Sequence, residues 1–144
     1  MAFIYTDPNV AAPFITFQVK DVTTKVFKLP FSYFTSAGTN TLVGVLPADA
    51  SILKFTTWVK TALSGNTVSA PTISIGTASA GTQFASAVAI TNTTGTEAVV
   101  TPVTGIMQAH DNINRTDIPL WVGGGCTSGP PTAGEIYLMV EYVR

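Results

Sequence analysis

The amino-acid sequence predicts an all-β protein, a sandwich built from antiparallel strands. Short apolar runs recur along most of the chain, and clusters of Gly, Asn, Ser and Pro separate them. Many of these runs alternate apolar and polar residues, as strands do when only one face is buried. The composition does not shift along the chain, and 144 residues are enough to bury one core without disulfides or metals. One domain is therefore expected.

The first 13 residues are predicted to be an extended arm, and residues 14–144 a single β-sandwich domain. Pro8 and Pro13 disfavour the helical conformation for the residues that precede them. Three apolar side chains near the start would be costly to leave in water: Phe3, Ile4 and Tyr5. The arm is therefore expected to lie on another surface, with a frayed terminus as the alternative.

Strands are predicted in chain order through the rest of the sequence. They cover residues 15–20, 26–29, 42–46, 52–63, 71–76, 97–101 and 118–122, with a last one near the C-terminus. The longest has a core-facing set predicted by alternation: Leu53, Phe55, Thr57, Val59 and Thr61. Its predicted outward set is Lys54, Thr56, Trp58 and Lys60. Residues 83–90 fit a short helix or a strand equally well, because the stretch is too short to decide.

The last strand, within TAGEIYLMVEYVR at residues 132–144, is apolar on both faces. Alternation places one set of side chains in the core: Ile136, Leu138, Val140 and Tyr142. The opposite face carries three more apolar side chains: Tyr137, Met139 and Val143. We expect this second face to meet another chain or a covering segment such as the arm.

The composition favours a protein that works in an assembly. Hydrophobic residues make up 46% of the chain but charged residues only 10%, and so few charges protect a surface poorly against association. The mean hydropathy is +0.37, yet no apolar run approaches the ~18 residues of a membrane helix. The lysines and arginines are scattered and the net charge is −1, which argues against nucleic-acid binding. No positively charged segment precedes an apolar one at the start, so no signal peptide is expected.

The only histidine, His110, lies beside Asp111, with Arg115 and Asp117 close by in the sequence. An enzyme could use such a histidine as a general base, but no serine lies in a Gly-x-Ser-x-Gly setting. A zinc site would need carboxylates for its other ligands, since the chain has one His and one Cys. We expect a solvated loop, with no catalytic, cofactor or metal site.

Residues 123–131, GGGCTSGPP, are predicted to be a flexible hairpin loop. A phosphate loop would need a lysine and a following helix, and here two prolines and a strand follow. Cys126 within it has no neighbouring cation in the sequence, so its thiol is expected to be unreactive. Asn92 and Asn114 match the N-glycosylation pattern, and we expect both matches to be chance.

Trp58 and Trp121 each lie on the nominally outward face of a predicted strand. They could form a platform for sugars, as in carbohydrate-binding modules. They could instead anchor a subunit interface, where tryptophan is enriched. A third interpretation is that both lie inside the sandwich. The low charge of the chain favours the interface.

Three segments carry a resemblance to a known family. They are APTISIGTASAGTQF at residues 70–84, ILKFTTWVKTAL at 52–63, and IPLWVGGGCTSGPPTAGEIYLMVEYVR at 118–144. Their pattern of strands and turns resembles small β-sandwich virion proteins of tailed bacteriophages, which include capsid decoration (cement) proteins, head fibres and tail-fibre modules. The resemblance covers roughly residues 50–144 and brings no enzymatic residues with it.

The resemblance implies a jelly-roll-like sandwich and a structural role in the virion. The expected partners are the major capsid protein and further copies of the chain, most simply in a trimer, on the capsid surface. The chain would be made in the cytoplasm of the host bacterium. Its expected interface residues are Phe3, Ile4, Tyr5, Trp58, Trp121, Tyr137 and Met139. The alternative is a fibre or spike module that binds a host receptor or glycan.

Overall fold

A computed structural model describes residues 2–4, 16–18, 21–35, 40–48, 50–100 and 116–143, with backbone alone for the first two ranges. The strands are β1 (Ala2–Ile4), β2 (Thr16–Gln18), β3 (Thr23–Pro30), β4 (Phe34–Thr35), β5 (Asn40–Leu46), β6 (Ser51–Ser64), β7 (Ser69–Gly76), β8 (Ala85–Ala89), β9 (Glu97–Val99), β10 (Ile118–Thr127) and β11 (Ala133–Val143). A 3-10 turn, Phe31–Tyr33, joins β3 to β4. Residues 83–90, which the sequence left open, contain strand β8.

Two sheets form the sandwich, and their strand order is that of a jelly roll. The first sheet has the order β3-β11-β6-β9. The second has the order β4-β10-β7-β8, and β5 pairs with β10 on the same side as β4. Consecutive strands of the chain thus mostly belong to different sheets, as in paired Greek keys. Among the described strands the pairings are antiparallel, except for the short parallel one between β4 and β10. The predicted all-β sandwich is confirmed.

A two-stranded ribbon lies at the N-terminal end of the chain. Strand β1 pairs with β2 in antiparallel fashion, and Phe3 is opposite Phe17. Within the described residues neither strand pairs with a strand of the sandwich. The predicted strand at residues 15–20 therefore contributes to this ribbon, and Tyr5 lies outside the described residues.

The core lies between the sheets and is apolar. The side chains of β11 predicted to fill it do so: Ile136, Leu138, Val140 and Tyr142 are buried. Phe55 of β6 meets Phe84 from the other layer, with ring centroids 5.4 Å apart. Burial of such side chains is the main stabilising term for this fold.

The predicted core face of the longest strand is wrong at both ends. Leu53 is 47% exposed and Thr61 is exposed, whereas Ile52 and Leu63 are buried. The reason is that the pairing of β6 with β11 shifts register near each of these positions. An irregularity of this kind reverses which alternate residues point inward.

The predicted flexible loop at residues 123–131 is also wrong in its first half. Residues 123–127 continue strand β10, and β7 and β4 pair with them on opposite sides. Gly124 faces the ring of Phe34, which is fully buried, and a methyl group at this position would collide with it. A glycine in a strand often marks such a close approach.

Candidate interaction face

The outer surface of the β3-β11-β6-β9 sheet carries the clearest candidate site. Two neighbouring cross-strand rows make up what we call the aromatic face: Lys28, Tyr137, Trp58 and Glu97 in one, and Val26, Met139, Thr56 and Val99 in the other. These side chains point away from the core because their neighbours in sequence point into it. The sheet thus brings together three of the predicted interface residues: Trp58 of β6, and Tyr137 and Met139 of β11.

Trp58 and Tyr137 form the centre of the first row. Their ring centroids are 5.4 Å apart and the ring planes are tilted by 43°. Both side chains are half-buried, so one side of the pair rests on the sheet and the other remains accessible. Tryptophan and tyrosine in this state offer a large, rigid contact area.

The second row has an exposed apolar side chain at each end. Val26 is 56% exposed and Val99 is 60% exposed, at the two ends of the row, with Met139 half-buried between them. Thr56, in the same row, is buried, and its hydroxyl finds no hydrogen-bond partner among the described residues. An exposed apolar patch with a polar margin is typical of a surface that binds another protein.

Most of the charged side chains in and beside these rows are paired with one another. The Glu135 carboxylate forms ion pairs with the ammonium groups of Lys28, at 2.9 Å, and Lys60, at 3.0 Å. The ammonium of Lys60 also donates a hydrogen bond to the Tyr137 hydroxyl at 3.1 Å, and these contacts raise its pKa. Hydrogen bonds from Lys28 and then Lys60 lower the pKa of Glu135 to about 2. Lys54 and Glu141 form a further pair on this face, at 3.4 Å.

Replacing Glu135 by glutamine is expected to lower the urea midpoint of unfolding near neutral pH. The pKa of Glu135 falls from 4.5 to about 2 on folding. Its stabilisation is therefore complete above the unfolded pKa and is lost as the pH falls through the folded pKa. The difference in midpoint between wild type and Glu135→Gln should shrink across that interval, which urea titrations at several acidic pH values measure.

Glu141→Gln is the matched control, because the Glu141 carboxylate pairs with one lysine instead of two. It should lower the midpoint near neutral pH by less than Glu135→Gln does. If the difference in urea midpoint between wild type and Glu135→Gln stays the same at the most acidic pH, the lowered pKa of Glu135 is wrong.

Trp121 lies on the opposite side of the molecule. In β10 it forms a cross-strand row with Leu42 of β5 and Gly76 of β7, on the outer face of the second sheet. The connection that follows β7 folds back there: Gly81 packs on Gly76, and the Asn40 amide donates a hydrogen bond to the Gly81 carbonyl at 2.9 Å. The two tryptophans are therefore on different outer faces, and neither fills the core.

The other residues singled out in the sequence do not form a site within the part of the chain that the structure describes. His110, Asp111 and Arg115 lie outside the described residues, and Asp117 is exposed. Cys126 is half-buried in β10, and burial raises the pKa of its thiol. Within the described ranges, no three His, Cys, Asp or Glu side chains come together as a metal site. No helix in those same ranges has the length and apolar character needed to cross a membrane.

Asn92, one of the two N-glycosylation matches, serves the backbone of the fold. Its side-chain oxygen accepts a hydrogen bond from the Leu63 amide at 2.7 Å, and its amide donates to the Leu63 carbonyl at 2.8 Å. Thr94, the third residue of the pattern, accepts a hydrogen bond from the Ala62 amide. These contacts attach the loop before β9 to the edge of β6.

Sequence reasoning did not identify Val26, Val99 and Glu135 as parts of the face. Val26 could have been found, because alternation in β3 places it opposite the buried Leu29 and half-buried Phe27. The place of Val99 depends on which strands become neighbours, and the sequence does not state the strand order.

No protein-family model and no curated protein matches this chain. Two solved structures share its fold. A chain of the capsid asymmetric unit of cyanophage Pam1 is similar with a TM-score of 0.51 and 20% identity, over 96% of each chain. A chain of the capsid of Ralstonia phage GP4 is similar with a TM-score of 0.54 and 20% identity, over 86% of this chain and 84% of that one. At this identity the similarity shows the fold.

Proposed function

We propose that this chain is a non-enzymatic structural protein of a tailed-bacteriophage virion, which binds the outside of the assembled capsid as a decoration or cement protein. The observation that carries the proposal is the aromatic face, a paired Trp58 and Tyr137 beside the exposed Val26 and Val99. The low charge of the chain and its similarity in fold to chains of two phage capsids support it.

The aromatic face suits a stable protein contact because the charges beside its centre are paired with one another, and the exposed Glu97 lies at its margin, in β9. Glu135 is already paired with Lys28 and Lys60, so contact at the apolar row leaves no isolated charge without water. Apolar burial then supplies the free energy, at roughly 25 cal/mol for each Å² removed from water. A partner surface that is itself apolar fits this face best.

Binding of this kind stabilises a capsid if the site exists only on the assembled shell. A protein that binds one state shifts the equilibrium toward that state in proportion to its affinity. The partner in the proposal is the major capsid protein. Further copies of the chain, most simply three around a local symmetry axis, complete the contact. Phe3, Ile4 and Tyr5 in the arm would reach over neighbouring subunits, and synthesis takes place in the cytoplasm of the host.

Trp58→Ala is expected to weaken binding to capsids by roughly 30-fold or more, because truncation of a central aromatic anchor typically costs 2 kcal/mol or more. Trp121→Ala is the matched control, since Trp121 lies on the other sheet, and its binding should stay within about threefold of wild type. Co-sedimentation with expanded capsids that lack this protein, over a range of concentrations, measures both.

Val99→Glu provides a second variant, because Val99 is largely exposed and a glutamate there leaves the core untouched. It should also reduce capsid binding while the urea midpoint stays near that of wild type. Capsid binding that is unchanged in both Trp58→Ala and Val99→Glu would refute the role of the aromatic face. A wild-type chain that binds no expanded capsid would refute the cement function itself.

The alternative is a tail-fibre, head-fibre or spike module that binds a host receptor or glycan. It is favoured by the position of the Trp58 and Tyr137 rings beside polar groups of Lys60 and Glu135, since sugars stack on aromatic rings and hydrogen-bond at their margins. A hit on a glycan array that Trp58→Ala removes, without capsid binding by the wild type, would establish this alternative.

A further inference from the structure

The charges on the outer surface of the β3-β11-β6-β9 sheet are arranged in opposite pairs about its middle. The line between β11 and β6 divides this surface into two halves of two strands each. Each half carries three outward-pointing charges, and every charge in one half has an opposite charge in the other, at the same height along the strands. The three opposite pairs are Lys28 with Glu97, Glu135 with Lys60, and Glu141 with Lys54.

Two copies placed face to face, with a two-fold axis along this line, would bring each of these charges opposite its counterpart. The rotation exchanges β11 with β6 of the second copy and β3 with β9, and it preserves height along the strands. Lys28 of one copy then faces Glu97 of the other, and the contact repeats at the far edge, as in any two-fold interface. The strand directions of the two sheets stay aligned to within about 30°, as in β-sandwiches.

The uncharged side chains match under the same rotation. In the first row Trp58 faces Tyr137 of the second copy, and in the second row Val26 faces Val99. The two exposed valines, which lie at opposite edges of one copy, therefore cover each other between copies. Four aromatic rings meet at the centre, where ring contacts stabilise beyond the apolar area that they bury.

The other two-fold axis in the plane of the face runs across the strands, between the two rows, and the charges oppose it. This rotation exchanges the two ends of each strand. Glu135 would then face Glu141 of the second copy, and Lys60 would face Lys54. Like charges brought together across an interface are strongly unfavourable. The charge pattern therefore selects the axis along the strands.

Glu97 is the charge on this face that gains most from a second copy. It is exposed, and none of the described residues forms an ion pair with it. Lys28 is paired with Glu135 but keeps 62% of its side chain exposed. The two-fold contact brings Glu97 and Lys28 together at both edges, so that no carboxylate of the face is left without a cation.

We propose that the free chain forms a two-fold dimer through the aromatic face, and that this dimer opens before the face binds the capsid. The dimer stands on the charge pattern, whereas its opening rests on the proposed function. Four strands about 4.8 Å apart and seven residues of about 3.4 Å each give a contact on the order of 1,000 Å² in total. Interfaces of this size are weak and reversible, so the second copy is a displaceable cover for the face.

The first test exchanges charges at the edges of the dimer. Lys28→Glu and Glu97→Lys should each weaken dimerisation at least about tenfold, because each places like charges opposite each other at both edges. An equimolar mixture of the two variants should restore it, because opposite charges then meet at both edges. Asp117→Lys, an exposed site outside this sheet, is the matched control and should leave the dimer unchanged. Analytical ultracentrifugation over a range of concentrations measures all of these, and urea midpoints show that each variant is folded.

The second test checks the geometry and needs no charge variant. In a Cys126→Ser background, Val26→Cys and Val99→Cys should form a disulfide between copies when the two variants are mixed under mild oxidation. Neither variant alone should do so, because the same position on the two copies lies at opposite edges of the face, about 14 Å apart or more. The cross-linked dimer should bind expanded capsids only after the disulfide is reduced.

A wild-type chain that stays monomeric up to about 1 mM, or that forms trimers, would overturn the dimer. A charge-exchanged mixture that does not associate, or cross-linking that is equal in the mixture and in the single variants, would do the same. Equal capsid binding before and after reduction would overturn the opening of the dimer. A wild type that binds no capsid would refute the proposed function and leave the dimer standing, because the dimer is measured without capsids.

Discussion

Leu138→Ala is expected to lower the free energy of unfolding by about 2–5 kcal/mol, because it removes a buried side chain and leaves a cavity. Leu138 lies in the middle of β11, between β3 and β6, and is fully buried. Neighbours held by pairing on both sides of the strand cannot move far to fill the space. Urea denaturation followed by circular dichroism measures the change, provided that the slope of the transition is unaltered.

Leu53→Ala is the matched control, since it makes the same chemical change in the adjacent strand. Strict alternation along β6 predicts a core position for Leu53, but the register shift leaves it 47% exposed. Its substitution should cost less than about 0.5 kcal/mol, as is usual at the surface. Equal losses in the two variants would show that the register shift between β6 and β11 is wrong.

Gly124→Ala is expected to lower the free energy of unfolding by about 1–3 kcal/mol, the range typical of an overpacked core. The added methyl group would meet the Phe34 ring, which is fully buried in the core. Gly125→Ala, at the next position, would bring its methyl group 2.8 Å from the Thr72 hydroxyl, on a half-buried side chain. Gly125→Ala should therefore lower the free energy of unfolding by less than Gly124→Ala does.

Phe34→Leu combined with Gly124→Ala tests the cause of that loss. The smaller leucine makes room, so the double variant should lose less stability than the sum of the two single variants. Thermal and urea unfolding of the wild type, the two single variants and the double variant give the coupling free energy between the two substitutions. Additive losses would show that the methyl group and the ring do not compete for the same space.

The sequence predicts the fold well where one strand carries its own signal. In β11 the alternation of Ile136, Leu138 and Val140 with Tyr137 and Met139 is regular, and the structure buries the first set and turns the second outward. The β-sandwich class follows from several such strands together. These predictions need no knowledge of which strands become neighbours.

Other features depend on contacts between distant parts of the chain. The glycines at residues 123–125 have no side chains to signal a strand, and they are strand residues because β4, β5 and β7 pair with β10. Leu53 is exposed because of its pairing with β11. Trp58 and Trp121 were both predicted to point outward, but only the strand order shows that they are on different sheets. The sequence indicated an interface and could not give its composition.

The central position of β11 also determines when the first sheet can form. β11 separates β3 from β6, although more than a hundred residues of sequence lie between β3 and β11. During synthesis, β3 and β6 leave the ribosome long before the strand that joins them. Contacts of such high sequence separation make folding slow, on the scale of milliseconds to seconds. The aromatic face, whose two rings lie on β6 and β11, therefore exists only once β11 has paired with β6, and chains in which this pairing has not formed do not present it.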